Sequence, residues 1–162
     1  MKSKLPARIV AEFLGTGFLV AAVVGSGIMA ERLSGGNVAL ALLANTIATG
    51  AALVGLILAF GAISGAHFNP AVSLADAIEG GLSSLETFAY ILAQFSGVIA
   101  GTILSHGMFR LPAISLSHHI RSGPAQLLSE FGATFGLLSV IWDLSAHSQT
   151  RQRTEALRRH SY

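Results

Sequence analysis

Five residues carry side chains that could do chemistry in this mostly apolar chain: Glu12, His67, Asn69, Asp76 and Glu130. The Asn69 amide can bind neutral hydrogen-bonding groups, whereas the carboxylates and the imidazole could pass protons. No nucleophile stands beside a base in a catalytic pattern, so we do not expect an enzyme. His67 has no second ligand at a suitable spacing. We therefore expect neither a metal nor another cofactor.

A short apolar segment after Asn69 is the element that must position these groups. Asn69 is a typical helix N-cap residue, and Pro70 fits the first helical position, where an N–H would be unpaired anyway. Gly80 and Gly81 predict that the helix ends near Glu79. Such a helix is about 15 Å long, about half of a hydrocarbon core. We predict a re-entrant half-helix with its N-terminus at mid-membrane.

The composition is that of a membrane protein. The 162 residues are 52% hydrophobic and 11% charged, whereas soluble domains have about 25% charged residues. Apolar segments long enough to cross a bilayer cover residues 9–30, 38–63, 87–108 and 125–144. The basic residues flank these segments and form no patch with aromatic residues, so nucleic acid is not an expected partner. We predict an all-α membrane protein with about four transmembrane helices and the half-helix.

The string SGAHFNPAV at residues 64–72 resembles the first signature loop of the aquaporin, or major intrinsic protein, family. The pore of that family is built on two Asn-Pro-Ala loops. The resemblance implies a channel for passive permeation of water or small uncharged solutes. It also assigns Asn69, Pro70 and Ala71 to the pore and places His67 in the cytoplasmic vestibule. The aligned peptide dipoles of a half-helix place about half a positive charge at its tip, which repels cations.

Alignment through this loop places Thr49 at one position of the narrow outer filter. Water-specific members of the family carry an aromatic side chain at that position. The smaller Thr49 implies a wider constriction, which would admit small neutral solutes besides water. Thr49 is therefore our candidate for the selectivity filter.

A repeated motif places two intramembrane glutamates in equivalent positions. The pattern EFxxT at residues 12–16 recurs 118 residues later at residues 130–134. The fourth span lies three crossings after the first, so the second copy is inverted, as in the inverted repeats of many transport proteins. The family is built from two such halves. We expect Glu12 and Glu130 to accept backbone N–H groups of re-entrant loops, with His67 as another partner of Glu12.

The repeat also predicts how the chain is divided. Residues 1–8 form a basic head, residues 9–144 a truncated aquaporin-like transmembrane domain, and residues 145–162 a polar basic tail unlike the family. A second Asn-Pro-Ala would be expected near residue 187, beyond the last residue given. We therefore expect an incomplete aquaporin-like inverted repeat. The tail is either a frame-shifted or artificial end or a natural cytoplasmic extension.

Positive charge predicts the orientation in the cell membrane. Seven of the 10 basic residues lie in the head and tail: Lys2, Lys4, Arg8, Arg151, Arg153, Arg158 and Arg159. Four spans place both termini on one side, which the positive-inside rule makes the cytoplasm. The half-helix then enters from the cytoplasm. His118 and His119 lie in an outer loop, where we expect solvation rather than metal binding.

Two other functions fit the same residues. A non-conducting half-channel could associate with other subunits, and the resemblance implies a homo-oligomer, since the family usually forms tetramers. A proton-coupled carrier could use Glu12, His67 and Asp76, in which case flux would depend on a pH gradient. The expected partners are otherwise the lipid bilayer and the permeating solutes.

Overall fold

The computed structural model describes residues 3–114 and 123–159, with side chains as far as residue 143. This part of the chain forms α-helices and their connections and contains no strand. The helices are α1 (Leu5–Leu33), α2 (Val38–Ser64), α3 (Pro70–Ile78), α4 (Ser84–Met108) and α5 (Pro124–Arg159). The predicted all-α class and the predicted half-helix are confirmed.

In the described part of the chain, four helices are long and apolar enough to cross a membrane: α1, α2, α4 and the Pro124–Asp143 part of α5. Their large apolar side chains face outward. In α2, for example, Ser64 is the one buried residue, and Leu58 is 79% exposed. Outward-facing apolar side chains on helices of this length suit a lipid surrounding. The chain is a multi-pass membrane protein.

The start of α4 differs from its predicted position at residue 87. The Ser83 hydroxyl accepts a hydrogen bond from Glu86 N–H, and the Glu86 carboxylate accepts the Ser83 N–H at 2.9 Å. This capping box satisfies two backbone donors and begins the helix at Ser84. The spacing of Ser83 and Glu86 is that of a helix N-terminus, which hydropathy alone does not detect.

Helix α5 continues beyond the apolar span that was predicted to end at residue 144. The candidate membrane span ends at Asp143, but the helix continues to Arg159. A carboxylate is costly in lipid but does not stop a helix, and the next residues include Ala, Gln, Glu, Leu and Arg, which favour helices. The end of the apolar segment is therefore not the end of the helix.

The chain divides into two compact units, residues 1–116 and 117–162. In the first unit α1 packs against both α2 and α4, and α3 packs against α4. Glycines allow α1 and α4 to approach closely: a Cβ atom on Gly101 would collide with the carbonyl oxygen of Gly17. The loop between α2 and α3 contacts this helix pair through Glu12 of α1, which accepts hydrogen bonds from the loop. The described helix of the second unit is α5.

Candidate functional site

The loop of residues 65–69 joins α2 to the half-helix α3 through an unusual backbone. Gly65 ends α2 with φ of 93°, and Ala66 and Phe68 have φ of 53° and 49°. Glycine adopts this left-handed region readily, but alanine and phenylalanine do so at a cost of about 1–3 kcal/mol each. Surrounding contacts must therefore hold the loop in this conformation.

Asn69 and Pro70 begin α3 as the sequence predicts. Asn69 has an extended backbone, and its Oδ1 accepts a hydrogen bond from Ala71 N at 2.8 Å. Pro70 occupies the first turn, where it removes no helical hydrogen bond. Because Oδ1 is used by the cap, the Nδ2 group of Asn69 is the donor that remains at the tip of the half-helix.

Glu12 of α1 provides the main contact beneath the loop. Its Oε1 accepts hydrogen bonds from Ser64 Oγ at 2.6 Å and His67 N at 3.0 Å. Its Oε2 accepts from Phe68 N at 2.8 Å and Gln94 Nε2 at 2.9 Å. Glu12 is 0% exposed, so a carboxylate at full acceptor capacity replaces water for two loop amides.

His67 meets Glu12 through its backbone N–H, whereas its ring contacts other groups. Nδ1 lies 3.1 Å from Ser73 Oγ, and Nε2 lies 4.0 Å from Asp76 Oδ2. The ring also packs edge-on against Tyr90, with centroids 5.4 Å apart. The His67 ring therefore lies between α3, which contributes Ser73 and Asp76, and α4, which contributes Tyr90.

A second network, centred on Arg8, was not recognised in the sequence. Arg8 is 6% exposed. It pairs with Glu86 at 2.5 Å and donates from Nε to the Tyr90 hydroxyl at 2.9 Å. Tyr90 in turn donates to the carbonyl of Ser64 at 2.8 Å. Sequence reasoning counted Arg8 as an orientation signal, but its position four residues before Glu12 places both on one helix face.

An open cavity of about 370 Å³ lies beside the loop. Its walls include the charged or polar side chains of Arg8, Ser64, His67 and Asp76, together with backbone of Gly61 and Gly65. The cavity offers hydrogen-bond donors and acceptors, and its walls include the basic Arg8 and the acidic Asp76. It can therefore hold water or a small polar solute next to the tip of α2.

Thr49 lies on α2, about 22 Å along the helix from Ser64, so the structure does not bring it to the loop. Its hydroxyl is 3.5 Å from Asn45 Oδ1. Asn45 donates to the carbonyl of Val23 at 2.9 Å and contacts Ser26 Oγ at 3.3 Å. Thr49 is half-buried, with its helix anchored to α1 through Asn45.

The other candidate residues are Glu130 and the two histidines of the predicted outer loop. Glu130 lies on α5 in the second unit and is exposed. His118 and His119 lie outside the described residues. Within residues 3–114 and 123–143, whose side chains the structure describes, no group of three His, Cys, Asp or Glu side chains could hold a metal ion.

Comparison with known proteins gives a match to the family described as major intrinsic protein over residues 1–158. This range extends beyond residue 144, the last residue of the predicted aquaporin-like domain. Aquaglyceroporin AqpS of Rhizobium meliloti (strain 1021) is 59% identical over 137 residues, covering 85% of this chain and 58% of that protein.

Two further relatives are more distant. Aquaporin A of Dictyostelium discoideum is 41% identical over 96 residues, covering 59% of this chain and 34% of that protein. The glycerol uptake facilitator protein of Streptococcus pneumoniae (strain ATCC BAA-255 / R6) is 31% identical over 155 residues, covering 84% and 63%. This chain therefore spans less than two thirds of the length of each of these three relatives.

Proposed function

Because this chain belongs to the major intrinsic protein family, we propose that it forms part of a membrane channel for passive permeation of water or small uncharged solutes. The observation that carries the proposal is the loop of residues 65–69, held by Glu12 at the start of a half-helix of 9 residues. That helix is about 14 Å long, so its tip reaches about the middle of a bilayer.

Asn69, Pro70 and Ala71 act as the pore motif in this proposal. Asn69 Nδ2 donates to the oxygen of a passing solute, because Asn69 Oδ1 is occupied by Ala71 N. The positive end of α3 opposes the passage of cations at the same depth. Glu12 keeps the loop amides satisfied, and Glu130 has the equivalent supporting role for a second loop.

The surroundings of Glu12 favour a channel over a proton-coupled carrier. A relay through Glu12, His67 and Asp76 would require the Glu12 carboxylate to release its hydrogen bonds and take up a proton. All four of those hydrogen bonds hold the loop or the helix beside it. Proton uptake would therefore disturb the element on which permeation depends.

Thr49 is the proposed contributor to the outer filter. Its small side chain leaves room for a solute larger than water. The names of two relatives, an aquaglyceroporin and a glycerol uptake facilitator, support glycerol-sized neutral molecules as candidate solutes. We also propose that both termini lie in the cytoplasm and that the channel assembles as a homo-oligomer.

A chimeric channel tests this function. Residues 1–144 would be joined to the segment of Aquaglyceroporin AqpS that lies beyond the match, and the product would be reconstituted in liposomes. We expect water and glycerol flux above that of empty vesicles. In the matched variant Thr49→Phe, glycerol flux should fall more than water flux, because the aromatic ring narrows the filter.

Stopped-flow light scattering measures both fluxes, and unmodified AqpS is the control for assembly. A chimera that inserts and assembles as AqpS does, yet conducts neither solute, would contradict the proposed channel. Equal effects of Thr49→Phe on both solutes would contradict the filter assignment while leaving the channel intact.

A further inference from the structure

Ser73 of the half-helix lies at the centre of a polar chain that connects Glu12 to the open cavity. It is 0% exposed. Gln94 Nε2 lies 2.9 Å from Ser73 Oγ, and His67 Nδ1 lies 3.1 Å from the same oxygen. We propose that Gln94 and Ser73 are positioning residues that fix His67 as the neutral tautomer with its proton on Nε2, so that the cavity receives an N–H donor.

The first step is the orientation of the Gln94 amide. Its Nε2 lies 2.9 Å from Glu12 Oε2 as well as from Ser73 Oγ. The flipped amide would place an oxygen against the carboxylate, where neither atom has a proton to donate. Glu12 therefore requires the nitrogen of Gln94 at this position, and Ser73 Oγ accepts a hydrogen bond from that nitrogen.

The second step is the direction of the Ser73 proton. A serine hydroxyl has one proton to donate and can accept while donating. Among the described residues, Gln94 and His67 are the hydrogen-bond partners of Ser73 Oγ. Gln94 Nε2 is itself a donor, so of these two partners only His67 Nδ1 can accept the Ser73 proton, and the Ser73 O–H donates to it. A neutral imidazole that accepts at Nδ1 carries its proton on Nε2.

Asp76 favours the same tautomer from the opposite side of the ring. Its Oδ2 lies 4.0 Å from His67 Nε2, a distance at which a carboxylate attracts an N–H dipole and repels a lone pair. A Cβ atom on Gly65 would lie 3.1 Å from the same nitrogen. Glycine at this position leaves space beside Nε2, and both His67 and Asp76 line the cavity.

The fixed tautomer has a consequence for permeation, which rests on the proposed function. A solute oxygen in the cavity can accept from His67 Nε2–H. A proton cannot be passed through the ring, because transfer requires Nδ1 to take up a proton while Nε2 releases one. Nδ1 is occupied by the hydroxyl of the fully buried Ser73, so the imidazole assists neutral solutes without relaying protons.

Solid-state NMR tests the tautomer directly. The 162-residue chain, labelled with ¹³C and ¹⁵N in histidine, would be reconstituted in lipid bilayers at pH 7, and His67 assigned by its loss in His67→Asn. We expect ring shifts of the neutral Nε2–H form. In Ser73→Ala, which removes the donor to Nδ1, the single-tautomer spectrum should be lost and an Nδ1–H signal should appear. Ser73→Thr retains the hydroxyl and should preserve the wild-type spectrum.

The outcomes separate this inference from the channel function. If the wild-type spectrum shows that the His67 ring is Nδ1-protonated or doubly protonated at pH 7, that result alone overturns the inference. An unchanged tautomer in correctly folded Ser73→Ala would also overturn it. Because the spectrum is read without solute flux, a conducting chimera with the wrong tautomer would refute only this inference, and a correct tautomer in a non-conducting chimera would refute only the channel.

Discussion

At the scale of single residues, the loop depends most on Glu12. Two of its four hydrogen bonds come from loop backbone N–H groups, at His67 and Phe68. These amides belong to or adjoin the left-handed residues Ala66 and Phe68. Hydrogen bonds to a charged acceptor stabilise by about 1.5–3 kcal/mol each. Glu12 therefore offsets the cost of the backbone conformation that brings Asn69 to the start of α3.

We predict that Glu12→Gln destabilises the first unit by about 2–4 kcal/mol. The glutamine amide would keep one acceptor oxygen but turn its NH₂ group toward donors, so at least one buried N–H would lose its partner. Thermal unfolding in detergent micelles measures the effect. We expect a clear fall in the unfolding midpoint.

Glu31→Gln is the matched control, because Glu31 lies on the same helix and is exposed. Its unfolding midpoint should stay within experimental error of the wild-type value. If Glu12→Gln and Glu31→Gln had equal midpoints, the loop would not depend on the buried carboxylate.

At the scale of elements, the close crossing of α1 and α4 sets the positions of the polar side chains that hold the loop of residues 65–69. Gly97 and Gly101 of α4 both face the backbone of α1, and Cβ atoms there would meet the carbonyl oxygens of Phe13 and Gly17. The same crossing brings Gln94 next to Glu12. In lipid, such helix pairs associate through close packing rather than through the hydrophobic effect.

Gly101→Ala should force the two helices apart and destabilise the first unit by about 1–3 kcal/mol, as overpacking does. Gly107→Ala is the comparison on the same helix, because nothing lies within 4 Å of a Cβ atom at Gly107. There, alanine should be neutral or slightly stabilising, since it favours a helix more than glycine. Urea or thermal unfolding of both variants in detergent gives the difference. Similar midpoints for the two would argue against a tight crossing.

At the scale of the whole molecule, the described chain presents large apolar surfaces and one half-helix. Long stretches of α2 are exposed, and the chain covers 58% of the length of its relative AqpS. The family resemblance implies a pore between two signature loops. One half-helix supplies one of the two positive ends that oppose cations. We therefore expect a conducting pore to require helices in addition to those of residues 3–114 and 123–159.

We predict that the 162-residue chain, reconstituted alone in liposomes, gives no selective water permeability. Exposed helix faces should cause self-association, while the solute pathway stays open to lipid on one side. Stopped-flow light scattering should show the shrinkage rate of empty vesicles, and the conducting chimera serves as the positive control. Fast water flux with protons still excluded would show that copies of this chain complete the pore among themselves.

The local chemistry of the sequence determined the secondary structure around the site. Asn69 and Pro70 predicted the start of α3 because capping depends on neighbouring residues alone. Hydropathy predicted the four apolar segments for the same reason. Hydropathy predicts the end of the fourth span, near Asp143, but not the end of helix α5 at Arg159. Apolarity measures what suits lipid, whereas a helix continues through any residues that favour it, as those beyond Asp143 do.

The tertiary structure alone decided which groups meet at the site. Gln94 lies 82 residues from Glu12 and Arg8 lies 82 residues from Tyr90, and no local pattern specifies such pairs. They depend on the glycine contacts that bring α4 against α1. The sequence could therefore identify Glu12 as an intramembrane carboxylate in need of donors. Two of these donors, Ser64 and Gln94, come from helices α2 and α4 and reach Glu12 only because the three helices pack together. Hydrogen-bond partners are set by distances in space, not by separation along the chain.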